Sequence, residues 1–245
     1  MNSSRIYFEN VSFTYPRRKS LENSFVNGIL KFTKVKKKLP DPDFALKQLS
    51  FAIHSGEVIG VIGRNGAGKS TLLKLLSGIY FPSQGKVEII GKIAPLIELG
   101  AGFSPDFSAR ENIEMYATLL GNRYETVKES VPEIMAWAEL ESYTDTPIRK
   151  FSTGMTGRVA FSAATHFSSE IVLIDEILSV GDEKFRNKSQ ERIEKILSSG
   201  AIVLVVSHDL ETIRKLAPRS LVLMDGRIIY DGPTKNAIEC YLGQE

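Results

Sequence analysis

Gly63-Arg64-Asn65-Gly66-Ala67-Gly68-Lys69-Ser70-Thr71 is the stretch from which the rest of the chain is read. The apolar run Val58 to Ile62 leads into it, and Leu72, Leu73, Leu75 and Leu76 lead out of it towards Gly78 with helical spacing. A Gly-rich turn between a strand and a helix, ending in Gly-Lys-Ser, is a P-loop. Gly63, Gly66 and Gly68 let the backbone bring its N–H groups, and that of Asn65, close around phosphate oxygens, and the following helix, with Thr71 in its first turn, adds its positive end. Lys69 is placed to neutralise β- and γ-phosphates, and the Ser70 hydroxyl to ligate Mg²⁺.

The 245 residues suffice for one large domain with a real core. Hydrophobic residues at 42% and charged residues at 24% exclude a disordered chain, and no apolar run approaches the roughly 20 residues that cross a bilayer. Met1-Asn2-Ser3-Ser4-Arg5 has no signal-peptide core, and the single cysteine, Cys240, permits no internal disulfide, so the expectation is a cytosolic protein. A net charge of +2 gives no general attraction to nucleic acid.

Working outward, Ile6 to Tyr15 and Leu49 to Ile53 alternate as strands and predict a small antiparallel layer beside the main sheet. Tyr15, an aromatic ahead of the P-loop strand, is a candidate to stack on an adenine ring or simply one more half-buried strand residue. Between the two strands, residues 17–43 hold eight basic residues against three acidic ones, interleaved with Leu21, Phe25, Val26, Ile29, Leu30 and Phe32 at roughly helical spacing. Such a basic, part-apolar insertion reads as a solvated loop or as a contact with a membrane surface or membrane-embedded partner, with nucleic acid the weaker possibility.

Past the P-loop helix, Lys86 to Ile90 and Ile93 to Ile97 read as strands, and Glu98 opens a Gly-rich loop. Ser108 and Glu111 form a capping box, which predicts a helix from Ala109 to Gly121 burying Ile113, Tyr116, Leu119 and Leu120. A second helix is expected from Tyr124 to Leu140, kinked or divided at Pro132. Residues from about 103 to 167 thus form a helical insertion. Ser152 and Gly154 stand at the start of a further helix, where a hydroxyl beside a helix N-terminus suits an anion.

Ile171 to Ile174 has the continuous hydrophobicity of a strand buried on both faces, and it ends in Asp175-Glu176. Asp175 is placed to hold the Mg²⁺ shell and Glu176 to polarise an attacking water. Asp182 adds one more acid in the loop beyond. Ala201 to Val206 is another buried strand, and His208 after it sits where ligands gather in open α/β sheets, within reach of a γ-phosphate. His54 and His166 read as structural. Asp225-Gly226 signals a hairpin, and a helix at about Thr234 to Leu242 ends the pattern.

Taken together, the P-loop, Phe151 to Met155, Asp175-Glu176, Asp182 and His208 resemble the nucleotide-binding subunit of an ABC transporter, over nearly the whole chain. The resemblance implies an α/β fold: a P-loop NTPase (RecA-like) core of mainly parallel sheet with an antiparallel β subdomain and an inserted α-helical subdomain. It implies ATP and Mg²⁺, and a head-to-tail dimer in which Ser152 and Gly154 of one copy reach the γ-phosphate held by the other. Asp182 then signals across the dimer, and His208 acts as the switch histidine. Thr153 and Met155 depart from the commoner Leu-Ser-Gly-Gly-Gln, and Glu98 stands where a glutamine is expected. Those departures, with Ile97 to Phe103 and Ser179 to Asp182, are similar to the ATP-binding subunits of bacterial O-antigen, capsule and teichoic-acid exporters. The implied protein is one nucleotide-binding domain, residues 1–245, without the C-terminal carbohydrate-binding domain of some relatives. It would lie peripherally on the cytoplasmic face of the inner membrane and drive a separate permease that carries lipid-linked polysaccharide. A soluble ABC-type ATPase acting on DNA or ribosomes is the other class, and the chain shows neither the tandem domains nor the long coiled coil usual there.

Overall fold

The computed structural model describes residues 4–15, 44–97, 99–175 and 181–244. The basic stretch 17–43, Glu98 and Glu176 lie outside the described residues.

Two sheets are built. Strands β1 (Arg5–Thr14), β2 (Phe44–His54) and β4 (Gln84–Ile90) form an antiparallel sheet in the order β2-β1-β4. Strand β2 starts five residues earlier than its alternating pattern predicts, because the ladder resumes beyond Leu49 with Phe13 opposite Leu46 and Thr14 opposite Phe44. Asn10 in β1 and Gln48 in β2 absorb the register shifts in left-handed conformations, φ 50° and 53°. The larger sheet runs β5 (Ile93–Leu96), β6 (Ile171–Asp175), β7 (Ile202–Val206), β3 (Val58–Ile62), β8 (Arg219–Met224), β9 (Arg227–Pro233). All its pairings are parallel except the β8–β9 hairpin. At the hairpin turn Asp225 and Gly226 have φ 47° and 77°, as a two-residue turn of this twist requires. The turn docks on the other sheet, where Lys47 N–H donates to Gly226 O at 2.7 Å.

Three layers of apolar burial follow. Ile6, Phe8, Leu46 and Phe51 of the antiparallel sheet pack with Leu72, Leu73 and Leu76 of α1 (Lys69–Leu76) against Ile59, Leu173 and Leu204 of the parallel sheet. The opposite face of that sheet, with Ile62, Ile174, Val203 and Val222, is covered by α4 (Thr153–His166), α5 (Glu183–Leu197), α6 (Leu210–Leu216) and α7 (Thr234–Leu242). Helices α2 (Ala109–Leu119), α3 (Tyr124–Ala138) and α4 share a core of their own around Ile113, Val127, Val131, Ile134, Met135 and Val159.

Two helical expectations are narrowed or corrected. Helix α3 runs through Pro132 as one element, which removes the division there. Pro132 is exposed, so the carbonyl it deprives of a partner faces water, while burial of Val127, Val131, Ile134, Met135 and Ala138 holds the helix together. Leu119 is 79% exposed. The buried stripe of α2 is Ala109, Asn112, Ile113 and Ala117, and Leu119, two residues further on, points away from it. The capping box forms as read: Ser108 Oγ accepts from Glu111 N at 3.2 Å, and Glu111 Oε2 accepts from Ser108 N at 2.8 Å.

Candidate functional site: a cleft at the carboxyl edge of the parallel sheet

Because β6, β7 and β3 are neighbours and parallel, their carboxyl ends deliver Asp175, the segment bearing His208 and the P-loop to one edge of the sheet. A cleft of about 370 Å³ opens there, lined by Tyr15, Asn65, Gly66, Gly68, Lys69, Ser70, Thr71, Asp175 and His208, with Ala45 and Val206. Of the site residues read from the sequence, nine are thereby brought together.

The loop's shape is set by two glycines. A Cβ on Gly63 would stand 2.4 Å from Leu223 O, and Gly68, at φ 108°, would put one 2.6 Å from Leu46 Cδ2. Both positions exclude a side chain, and the chain can therefore press against β8 and β2 as it turns into α1. Lys69 is only 7% exposed. Its Nζ donates to Gly63 O at 2.6 Å and Arg64 O at 3.1 Å, so the ammonium is folded back over the loop. Tyr15, half exposed, is hydrogen-bonded through its hydroxyl to Thr71 Oγ1 at 2.8 Å and meets Phe13 and Tyr80 edge-on at 5.1 and 5.7 Å. The P-loop helix thus fixes an aromatic ring at the cleft mouth.

The lining suits a magnesium nucleotide. A buried ammonium beside a Gly-rich helix start is a phosphate cradle, and the Ser70 hydroxyl and Asp175 carboxylate are the hard oxygen donors Mg²⁺ takes. Among the described residues no cluster of three or more His, Cys, Asp or Glu could hold a metal by protein ligands alone.

Ser152 and Gly154 lie elsewhere. They line a second cleft, of about 380 Å³, with Leu140, Met155, Arg158, Gly181 and Asp182. Ser152 N-caps α4, its hydroxyl accepting from Met155 N at 3.2 Å. A Cβ on Gly154 would meet nothing nearer than Ser152 Oγ at 3.9 Å, so the helix start is open in front. Asp182 N-caps α5: Oδ1 accepts from Phe185 N at 2.9 Å, and Oδ2 accepts from Arg158 Nη2 at 2.6 Å. The Phe185 N–H, and after it the Arg158 guanidinium, hold this carboxyl below its ordinary range.

Arg158 is the residue that sequence reading missed. Lying over the Phe185 ring at 4.9 Å, it joins Asp182 to Glu139, whose Oε2 is 3.7 Å from Nη1, and Lys184 adds a 3.1 Å ion pair to the same glutamate. Helix α3, helix α4 and the start of α5 are tied by this one network.

Among the described residues no helix is long and apolar enough to cross a membrane. A family model described as ABC transporter matches residues 46–179. An O-antigen export system ATP-binding protein, RfbB, of Myxococcus xanthus is 42% identical over 194 residues, which are 78% of this chain and 44% of that protein. The chain thus spans less than half of the Myxococcus relative. The protein of the same description from Klebsiella pneumoniae is 38% identical over 197 residues, 80% of each chain. A solved ATP-binding cassette, described as a dimeric post-hydrolysis state bound to ADP and Pi, superposes with a TM-score of 0.71 at 23% identity, covering 94% of this chain and 98% of that one. The sheet order, the P-loop cleft and these relatives agree, and the chain belongs to the ABC transporter family.

Proposed function

We propose that this chain is the ATP-hydrolysing subunit of a bacterial exporter of lipid-linked polysaccharide, O-antigen first among the candidates, acting with a separate membrane permease. The observation that carries the reading is the cleft uniting the P-loop with Asp175 and His208, in a chain whose relatives are O-antigen export ATP-binding proteins. The nucleic-acid alternative gains no support from those relatives.

In this reading the loop of Gly63, Asn65, Gly66 and Gly68 wraps the phosphates, Lys69 neutralises the β- and γ-groups, and Tyr15 stacks on the base. Ser70 and Asp175 would hold Mg²⁺, which when bound offsets charge on the phosphate oxygens. Glu176 polarises the attacking water and His208 contacts the γ-phosphate. Ser152 and Gly154 of a second copy close the same site, with Asp182 between the two; Glu98 takes up the place of the usual glutamine. The domain is 1–245, with its helical subdomain at about 103–167. The basic insertion 17–43 lies at the cytoplasmic face of the inner membrane, near the permease.

The test is twofold. Purified protein should hydrolyse ATP only with Mg²⁺, and a strain lacking the gene should accumulate polysaccharide on the cytoplasmic side. Absence of Mg²⁺-dependent hydrolysis removes the enzymatic reading. Normal export in the deletion strain removes the cargo and leaves the ATPase.

A further inference from the structure

On the far side of the parallel sheet from the antiparallel layer, strands β5 and β6 and the ends of α4 and α5 enclose a cleft of about 280 Å³ that shares no residue with either cleft described above. Its floor is apolar, with Ala94, Leu96 and Val172. Its rim is cationic, with Arg192 and Lys195, and His166 lies beside them. Such a pairing of an apolar floor with a few convergent polar groups is the make-up of a small-molecule site, and the volume lies at the small end for one.

Arg192 gives the cleft its charge. The guanidinium is half-buried and lies over the Trp137 ring at 4.3 Å. Its polar contacts are long ones to Thr165, 3.4 Å to the carbonyl and 3.5 Å to the hydroxyl. Among the described residues no carboxylate comes within ion-pair distance of it, whereas Arg158 and Arg219, also half-buried, each have two. A half-buried cation whose nearest acid, Glu133, acts on it only from beyond ion-pair distance is incompletely compensated, and an arriving anion relieves that cost. Burial pushes both Arg192 and His166 towards their neutral forms, and Arg192 adds to the effect on His166; Glu133 opposes both without bonding to either. Lys195, one helical turn beyond Arg192 on α5, stands exposed at the rim.

We infer that this cleft binds a small anion with an apolar body, an aryl or short alkyl phosphate monoester or carboxylate, its head between Arg192 and Lys195 and its body against Phe167 and Ile196, above the buried Ala94, Leu96 and Val172.

Trp137 is the chain's single tryptophan and touches Arg192, so its emission reports on the site. The probe is phenyl phosphate, titrated into full-length protein saturated with Mg²⁺ and ADP so that the P-loop is occupied. Trp137 emission should change saturably, and saturation-transfer NMR should show the phenyl protons in contact with protein. Lys195→Gln should weaken binding about tenfold, the scale of one charge-assisted hydrogen bond at a partly exposed site, and leave ATP hydrolysis unchanged. Arg192→Gln should abolish binding, read by NMR because that substitution alters the tryptophan's surroundings directly. Inorganic phosphate should bind more weakly than phenyl phosphate, and benzyl alcohol should not saturate. The inference is overturned by no transfer to phenyl phosphate in the ADP-saturated protein, by equal affinity for inorganic phosphate, or by undiminished binding in Lys195→Gln.

Discussion

The P-loop cleft and the Ser152 cleft are nearly equal in volume, about 370 and 380 Å³, yet they are built on opposite plans. The first is set at the end of three parallel strands. It draws an almost fully buried ammonium, a hydroxyl and a carboxylate into one place. The second is a helix start with an exposed hydroxyl, and its charges are already matched among themselves: Arg158 to Asp182 and Glu139, Lys184 to Glu139. One cleft brings an ammonium, a hydroxyl and a carboxylate to the end of a Gly-rich loop; the other presents a helix N-terminus on a well-fixed frame. Two unlike half-sites of this kind are what our proposed head-to-tail dimer requires, since each supplies what the other lacks.

The comparison breaks first at the P-loop. Lys69→Ala removes the buried cation of the cleft, and ATP affinity, measured by calorimetry, should fall by about two orders of magnitude or more, the scale of leaving a phosphate's charge uncompensated in a desolvated site. Glu176→Gln should instead keep affinity while steady-state hydrolysis falls by about two orders of magnitude or more, the contribution of a general base. Near-normal hydrolysis by that variant would take Glu176 out of the role.

The second cleft should show the reverse pattern. Placing Ser152→Arg in the Glu176→Gln background puts a large cation where the helix start is open, and should abolish an ATP-induced dimer in sedimentation while the monomer still binds nucleotide. Dimerisation of the double variant as readily as of Glu176→Gln alone would show that the two clefts do not meet. Arg158→Lys keeps a positive charge but loses the fork that spans Asp182 and Glu139. Turnover should drop about tenfold with nucleotide affinity unchanged, the signature of a group that positions rather than binds. A rise in KM with kcat intact would place Arg158 on the nucleotide instead.

What could be read from the sequence divides along the same line. The P-loop cleft was legible because each of its parts carries a local signal: glycines at a strand-to-helix turn, and acids or a histidine directly after an apolar run. Parallel pairing of β6, β7 and β3 then brings those strand ends together without further information. The capping box at Ser108 and the turn at Asp225-Gly226 were legible for the same reason. The Glu139–Arg158–Asp182 network was not, because its members have no shared pattern and meet only when α3, α4 and the start of α5 pack. Whether helix α3 was divided at Pro132 was left open by local rules, and tertiary burial of its apolar stripe decides for one element. The same lack of local pattern hid the pairing of Tyr15 with Thr71, which depends on the antiparallel sheet meeting α1.

The smallest effect is expected from Asp182 and acid. Its folded-state carboxyl titrates below the ordinary value of 3.8, first because Phe185 N–H donates to it and then because Arg158 pairs with it. The unfolded chain therefore takes up this proton first as pH falls. The stabilisation is complete above about pH 4 and is lost as pH drops through the folded-state value. Asp182→Asn keeps a side-chain oxygen to cap α5 but cannot titrate; its own carboxylate is largely exposed, and Arg158 keeps Glu139 as a partner. Melting temperature at neutral pH should therefore shift only slightly, and the fall between pH 5 and pH 3 should be shallower than in the parent. Nucleotide affinity of the monomer should not move, because Asp182 does not line the P-loop cleft of its own copy. Superimposable acid profiles for the two proteins would mean that the Phe185 and Arg158 bonds add nothing to stability, and the frame of the second cleft would then have to be sought in its apolar contacts alone.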